Sequence, residues 1–255
     1  MAELLDYDKI ASTFKRAIEA YRNASPFPHL VVDNLFDSKL IKDLENQFPK
    51  PQASSWYRYE NVFEKKLAQP HLEWMPIAIR EFLLELNGSK FVRLLEVLTG
   101  IPNLLVDHEF NGGGLHQTER GGKLDIHADY NFHPKTKLHR RINLILYLNS
   151  EWPEIYGGHL EFWDSKMRQR LRRFLPTSNR LVVFNTSDVS FHGHPEALQC
   201  PHDQTRKSIA IYYYSRERPL AEISAPHSTL FQRRPDDPLS PMIEELRKNR
   251  SVRRF

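Results

Sequence analysis

The feature that most constrains this chain is a change in the period of its apolar residues near position 103. Before it, Ile10, Phe14 and Ile18 recur every four positions, which predicts a helix over roughly residues 7–22. After it, apolar and polar residues alternate. Leu124, Ile126 and Ala128 alternate with Asp125, His127 and Asp129. Ile142, Leu144, Leu146 and Leu148 alternate with Asn143, Ile145 and Tyr147, and Ile209, Ile211 and Tyr213 with Ser208, Ala210 and Tyr212. Successive side chains of a strand point to opposite faces, so each segment offers an apolar face to a core and a more polar face to a pocket. Several short strands of this kind predict a barrel or jelly roll.

The helical part continues beyond the first helix. Pro26-Phe-Pro28 ends that helix, and His29–Asp33 reads as a short strand. Ser38 is the expected cap of a second helix carrying Leu40, Ile41 and Leu44. The segment Trp56–Tyr59 has no clear period and reads as a loop or irregular strand. Pro76 suits the first turn of a helix with Ile77, Ile79, Phe82, Leu83 and Leu86, and a further helix from Phe91 to Leu98 closes at Gly100. More strands are expected at 103–110, 159–163 and 179–185, with turns at Asn111–Gly114 and Gly157-Gly158. The expected class is α+β with a mainly β core. Residues 1–102 are its helical part, 103–216 the β core, and 217–255 an extension that wraps the body or frays, all in one domain.

Composition narrows the function. With 255 residues, 40% hydrophobic and 27% charged, the chain can bury a substantial core and is not a disordered polymer. No stretch approaches the roughly 20 apolar residues of a membrane span. The acidic start lacks the apolar run of a secretory signal, and Cys200 is the single cysteine. Internal disulfides and cysteine-rich zinc modules are thereby excluded, and a reducing cytoplasm is the expected location. The net charge is +4, concentrated in Lys166–Arg173 and in the basic tail from Arg247 to Arg254. Such patches attract phosphates, but aromatic residues do not interleave with them as base stacking requires. A solvated hairpin and tail are expected, with no nucleic-acid or membrane partner.

The chemistry centres on His127-Ala-Asp129. Residues two apart on a strand project from one face, so this imidazole and carboxylate can reach one metal ion. Chance alone supplies about 0.6 such triplets in a chain with this composition, so the triplet needs further ligands to carry weight. The segment leading to His192-Gly-His194 offers two. Two histidines and one carboxylate form the facial triad of non-haem iron(II) oxygenases, whereas structural zinc takes four protein ligands. Fourteen residues after His192 stands Arg206, on the face of Ser208, Ala210 and Tyr212. A guanidinium on a pocket face calls for an anion, because it cannot shed its charge. A carboxylate is its natural bidentate partner, and Tyr147 can donate to the same group.

Together, His127-x-Asp129, His192 and Arg206 resemble the iron(II)/2-oxoglutarate-dependent dioxygenase superfamily, and within it the prolyl 4-hydroxylase-like branch. Supporting matches are Arg140–Asn149 (Arg-Arg-Ile-Asn-Leu-Ile-Leu-Tyr-Leu-Asn), Gly157–Phe162 and Pro26–Asp33. The resemblance implies a double-stranded β-helix (jelly roll) with the N-terminal helices packed against it. It implies His127, Asp129 and His192 as iron(II) ligands, with Arg206 and Tyr147 on the distal carboxylate of 2-oxoglutarate. His192 is preferred to His194 because the family's ligand stands a few residues before a proline. O2 is the other co-substrate, and ascorbate is an allowed accessory. The implied reaction hydroxylates an unactivated C–H bond, in a prolyl or other amino-acid side chain of a protein or peptide, and releases succinate and CO2. A small-metabolite hydroxylase and a non-enzymatic cupin-like metal-binding protein are the alternatives. Where many relatives place a second tyrosine before His-x-Asp, this chain has Leu115-His-Gln117. Arg140, Asn131, Trp163 and Tyr212 are candidates for the mouth of the pocket.

Overall fold

In the computed structural model, which describes residues 3–252, the first apolar stripe forms α1 (Tyr7–Arg22), with Ile10 and Phe14 fully buried. The strand β1 (His29–Asp33) follows, then α2 (Ser38–Asn46). The cap of α2 is Asp37 rather than Ser38. Its carboxylate accepts the amides of Lys39 and Leu40, and Ser38 already lies in the helix. The segment without a clear period becomes a hairpin of β2 (Tyr57–Glu60) and β3 (Glu64–Gln69). Next come α3 (Ile77–Leu86), which starts just after Pro76, and α4 (Ser89–Thr99). Gly100 closes α4 with a φ of +73°, a left-handed conformation that glycine adopts freely.

The remaining strands are β4 (Leu105–Val106), β5 (Gly114–Thr118), β6 (Lys123–Ala128), β7 (His139–Tyr147), β8 (Leu160–Trp163), β9 (Arg170–Phe174), β10 (Arg180–Asn185), β11 (His192–His194), β12 (Arg206–Ser215) and β13 (Leu230–Phe231). They are followed by α5 (Pro241–Val252). β4 is far shorter than the strand expected at 103–110. The Asp107 carboxylate accepts the amides of Glu109 and Asn111 and turns the chain there.

All strands pair antiparallel in one curled sheet of order β1-β10-β7-β12-β5-β3-β6-β11-β8-β9, with β2 on β3, β4 on β12 and β13 on β6. The fold is α+β and mainly β, of jelly-roll type. Alternation along β7 and β12 sorts the two faces. Leu144, Leu146, Ile209 and Ile211 join Phe14, Phe82, Phe91 and Leu95 in the core under the helices. Tyr147 faces the other way and packs with Phe162, Val182 and Phe184 inside the curl.

Lys166–Arg173 forms the turn and much of the second strand of the β8–β9 hairpin. Arg168, Arg170 and Arg173 pair there with Asp164, Glu161 and Glu154. The extension wraps the body, since β13 pairs with β6 and the Gln232 amide donates to the Ile126 carbonyl. Arg253 and Arg254 of the basic tail lie outside the described residues. Among those described, no helix is long and apolar enough to cross a membrane.

Candidate metal and co-substrate site

β6 and β11 are neighbours, with His192 directly opposite His127. Gly193 makes this approach possible. A Cβ there would stand 2.7 Å from the Asp125 carbonyl oxygen and 2.8 Å from that of Leu124, closer than any side chain tolerates. His127 Nε2 lies 3.5 Å from Asp129 Oδ1, and His192 Nε2 lies 3.5 Å from Asp129 Oδ2. Ligand atoms of all three residues fall within 4.8 Å of one another. His127 Nδ1 meets the Asp125 carbonyl and His192 Nδ1 that of Ser190, each at 2.9 Å. A carbonyl only accepts, so each Nδ1 carries a proton, which leaves Nε2, turned toward Asp129, as the nitrogen that can ligate a metal.

The electrostatics suit a cation. Burial pushes the Asp129 carboxyl up, but Arg140, His192 and His127 outweigh it and hold it far below the usual carboxylate range. Burial brings His192 down to about 4, so it is neutral and able to ligate. Arg140 Nη2 stands 2.9 Å from Asp129 Oδ2, and Asn143 Nδ2 donates to the same oxygen at 3.1 Å. Oδ2 is thus tied down, while Oδ1 faces His127. The Arg140 guanidinium sits 3.4 Å from the Tyr212 ring centroid and 4.7 Å from that of Tyr130, which fixes its plane. The donor set is hard and borderline, nitrogen and oxygen, and three-membered, and it fits a divalent metal with open positions.

Arg206 lies on the same inner face, 6% exposed. Its Nε donates to the Gly158 carbonyl at 2.7 Å and its Nη2 to the Tyr147 hydroxyl at 3.1 Å. Among the described residues it has no carboxylate partner, and burial depresses its pKa. A buried guanidinium satisfied only by neutral groups is costly, and an incoming anion offsets that cost. Tyr147 accepts from Arg206 and keeps its own proton to donate.

The structure therefore brings together His127, Asp129, His192, Arg206 and Tyr147. His194 stays outside the cluster of three ligands. It is buried with Nδ1 unpartnered, and burial followed by the Arg206 charge pushes its pKa well down. His116 takes the inner-face position opposite Ser208, where the sequence lacks the second tyrosine. Burial and then Lys66 press its pKa down to about 3. The sequence shows it only as a departure from the tyrosine pattern, because β5 is five residues long and opens on the last of three glycines. Of the mouth candidates, Arg140 and Tyr212 line an open cleft of about 1110 Å³. Trp163 does not line it. This indole packs with Ile126, Ala128 and Phe191 on the opposite face of β6, its Nε1 donating to Glu161. Asn131 instead holds the C-terminal extension.

The comparisons with known proteins agree with this geometry. Residues 113–214 match the sequence model of the 2OG-Fe(II) oxygenase superfamily. The chain carries a 2OG-Fe(II) oxygenase domain. The match contains all five site residues, and the family uses iron(II) and 2-oxoglutarate. The chain is 27% identical over 206 residues to the prolyl 3-hydroxylase OGFOD1 of Mus musculus, covering 74% of this chain but 33% of that protein. It thus spans about a third of the length of this curated relative. Among solved structures it resembles a Pseudomonas putida prolyl-4-hydroxylase, with a TM-score of 0.54 and 14% identity over 82% of this chain and 100% of that one. It also resembles a Trichoplax adhaerens prolyl hydroxylase bound to a hypoxia inducible factor peptide, with a TM-score of 0.58 and 15% identity over 82% and 90% of the two chains. In sequence over residues 113–214 the chain is similar to 2OG-Fe(II) oxygenases, and in fold to prolyl hydroxylases.

Proposed function

We propose that this enzyme hydroxylates an unactivated C–H bond of a prolyl or other amino-acid side chain in a peptide or protein segment, converting 2-oxoglutarate and O2 to succinate and CO2. One oxygen atom enters the substrate and the other the succinate. His127 Nε2, Asp129 Oδ1 and His192 Nε2 would hold the metal. Iron(II) in that place supplies O2 activation coupled to decarboxylation of the keto acid. The single observation that carries the reading is Arg206, a buried guanidinium without an anion on the same inner face as the three ligands. A distal carboxylate would meet its remaining N–H donors and the Tyr147 hydroxyl. Arg140 and Asn143 keep the Asp129 carboxylate from rotating, and the neutral Val182, Phe184 and Phe162 exclude water from the co-substrate end.

The size and rim of the cleft favour a peptide over a small metabolite. About 1110 Å³ exceeds the roughly 300–1,000 Å³ of small-molecule pockets, and half-exposed Tyr57 and Tyr59 stand on its edge. The chain is read as one catalytic unit acting in the cytoplasm. The test is anaerobic addition of iron(II) and then 2-oxoglutarate to the apoprotein. A metal-to-ligand charge-transfer band on adding the keto acid supports the reading, and its absence overturns it. A panel of proline-containing peptides, read by mass for the gain of one oxygen atom, then tests the substrate class.

Two further outcomes are expected. At Gly158, where φ is +72°, a Cβ would stand 2.6 Å from Leu198 Cδ2 and 2.9 Å from Arg206 Cδ. Gly158→Ala should displace Arg206 and raise the apparent KM for 2-oxoglutarate about three- to tenfold, with iron content unchanged, as measured by succinate production. The paired arginines of the β8–β9 hairpin should bind random DNA weakly, with binding lost at physiological salt. Tight, salt-resistant binding in a filter assay would revive a nucleic-acid substrate.

A further inference from the structure

The C-terminal extension lies outside the residues that match the family model, yet it builds one wall of the cleft. Ser228, Thr229 and Phe231 line it. The Phe231 ring lies 5.5 Å from that of His127 and stacks on Phe63 at 4.7 Å. Asn131, two residues beyond Asp129, gathers the strap. Its Nδ2 donates to Ser224 Oγ at 2.8 Å and to the Ala225 carbonyl at 2.9 Å, and its Oδ1 accepts the His227 amide at 3.0 Å.

The second tie is His227. Its Nδ1 lies 2.7 Å from the Ser228 carbonyl and its Nε2 lies 3.0 Å from Asp188 Oδ1. Both partners are acceptors, so both ring nitrogens must donate, and only the imidazolium has two N–H groups. Asp188 sits on the loop whose Ser190 carbonyl orients His192. The charged groups facing this contact are Asp188 from that loop, Asp129 from the end of β6, and Arg218, which acts on Asp188 while donating to the Arg140 and Thr186 carbonyls. Burial opposes the charge on His227, but Asp188 and the Ser228 carbonyl outweigh it and raise its pKa.

We propose that Ser224–Phe231 is a latched wall of the active site that positions the substrate, the latch being the doubly donating imidazolium of His227 between Ser228 and Asp188. Its role toward substrate rests on the function proposed above. The latch itself does not. Arg206 is held by the Gly158 carbonyl and the Tyr147 hydroxyl, so the strap is expected to act on substrate and to leave the co-substrate alone. Because the folded-state pKa of His227 is raised, the latch is complete below the ordinary histidine value and is lost as pH rises through the raised one.

Hydrogen–deuterium exchange of the apoprotein reads the latch without any reaction. In wild type, protection of amides 227–232, corrected for intrinsic rates, should fall at least about tenfold between about pH 6 and about pH 9. In His227→Gln it should be low and flat with pH, while amides of β7 and β12 stay protected. Asp188→Asn, which keeps an acceptor oxygen but no charge, should show the same flattening and serves if His227→Gln does not fold. Protection independent of pH in wild type, or variants that retain the wild-type profile, would overturn the latch. With a peptide accepted by the enzyme, His227→Gln should raise the peptide KM at least about fivefold and leave the 2-oxoglutarate KM unchanged. An unchanged peptide KM would overturn the wall. A missing charge-transfer band would fault the function proposed above and leave the exchange result standing.

Discussion

Alanine at Asp129, His127 or His192 is expected to abolish succinate formation and to weaken iron(II) binding by more than about a hundredfold, since even outer partners of metal ligands are worth 10–100-fold. The three variants should differ in stability. Asp129→Ala strands Arg140, which is 1% exposed and held between Tyr212 and Tyr130, and an uncompensated buried charge costs about 3–5 kcal/mol. His192→Ala removes a neutral ring and leaves the Arg140–Asp129 pair intact. Thermal unfolding should therefore shift far more for Asp129→Ala than for His192→Ala, although both lose iron. His194→Ala should retain most of the iron affinity, since His194 lies outside the cluster of three. If His194→Ala loses iron and His192→Ala keeps it, the distal ligand is misassigned.

Arg206→Gln should raise the apparent KM for 2-oxoglutarate at least about tenfold. The distal carboxylate of a five-carbon diacid must shed its water inside the curl, and the guanidinium can meet it with two parallel bonds. Charge-assisted bonds contribute roughly 1.5–3 kcal/mol each, and 1.4 kcal/mol already corresponds to a factor of ten. Tyr147→Phe should cost less, because it removes a neutral donor and keeps the ion pair. Iron content should be nearly unchanged in both variants. Succinate production against 2-oxoglutarate concentration measures the effect, and a wild-type KM in Arg206→Gln would remove Arg206 from the site.

The parts of the site legible in the sequence were those written in strand alternation. His127 and Asp129 share a face by spacing alone, as do Arg206 and Ser208, and the register then sets Ser208 against Tyr147. The choice between His192 and His194 could not come from alternation, because both stand on one face of a three-residue strand. The irregular register between them, with Gly193 packed on the β6 backbone, separates their positions. Position β3 was missed for a related reason. Its Glu-Lys-Lys-Leu-Ala-Gln run has no clean period, since hairpin and sheet pairing rather than one apolar face hold it in place. The clasp of Asn131 on residues 224–227 has no sequence signal, because it joins positions more than ninety residues apart through side-chain amide bonds.

The layering of helices over the sheet has a practical consequence for anyone who would excise the catalytic core. A fragment cut at residues 113 and 214, the bounds of the family match, would lose β1 and β3 from the sheet and α1, α3 and α4 from its outer face. Ile142, Leu144, Leu146, Ile209 and Ile211, now almost wholly buried, would face water as one contiguous apolar surface. New unpaired backbone edges would open where β10, β5 and β6 now bond to the missing strands, and the loss of β3 would split the sheet between β5 and β6. Exposed apolar strands with open edges are templates for aggregation. The smallest piece expected to stay soluble therefore begins at α1 and runs through β13.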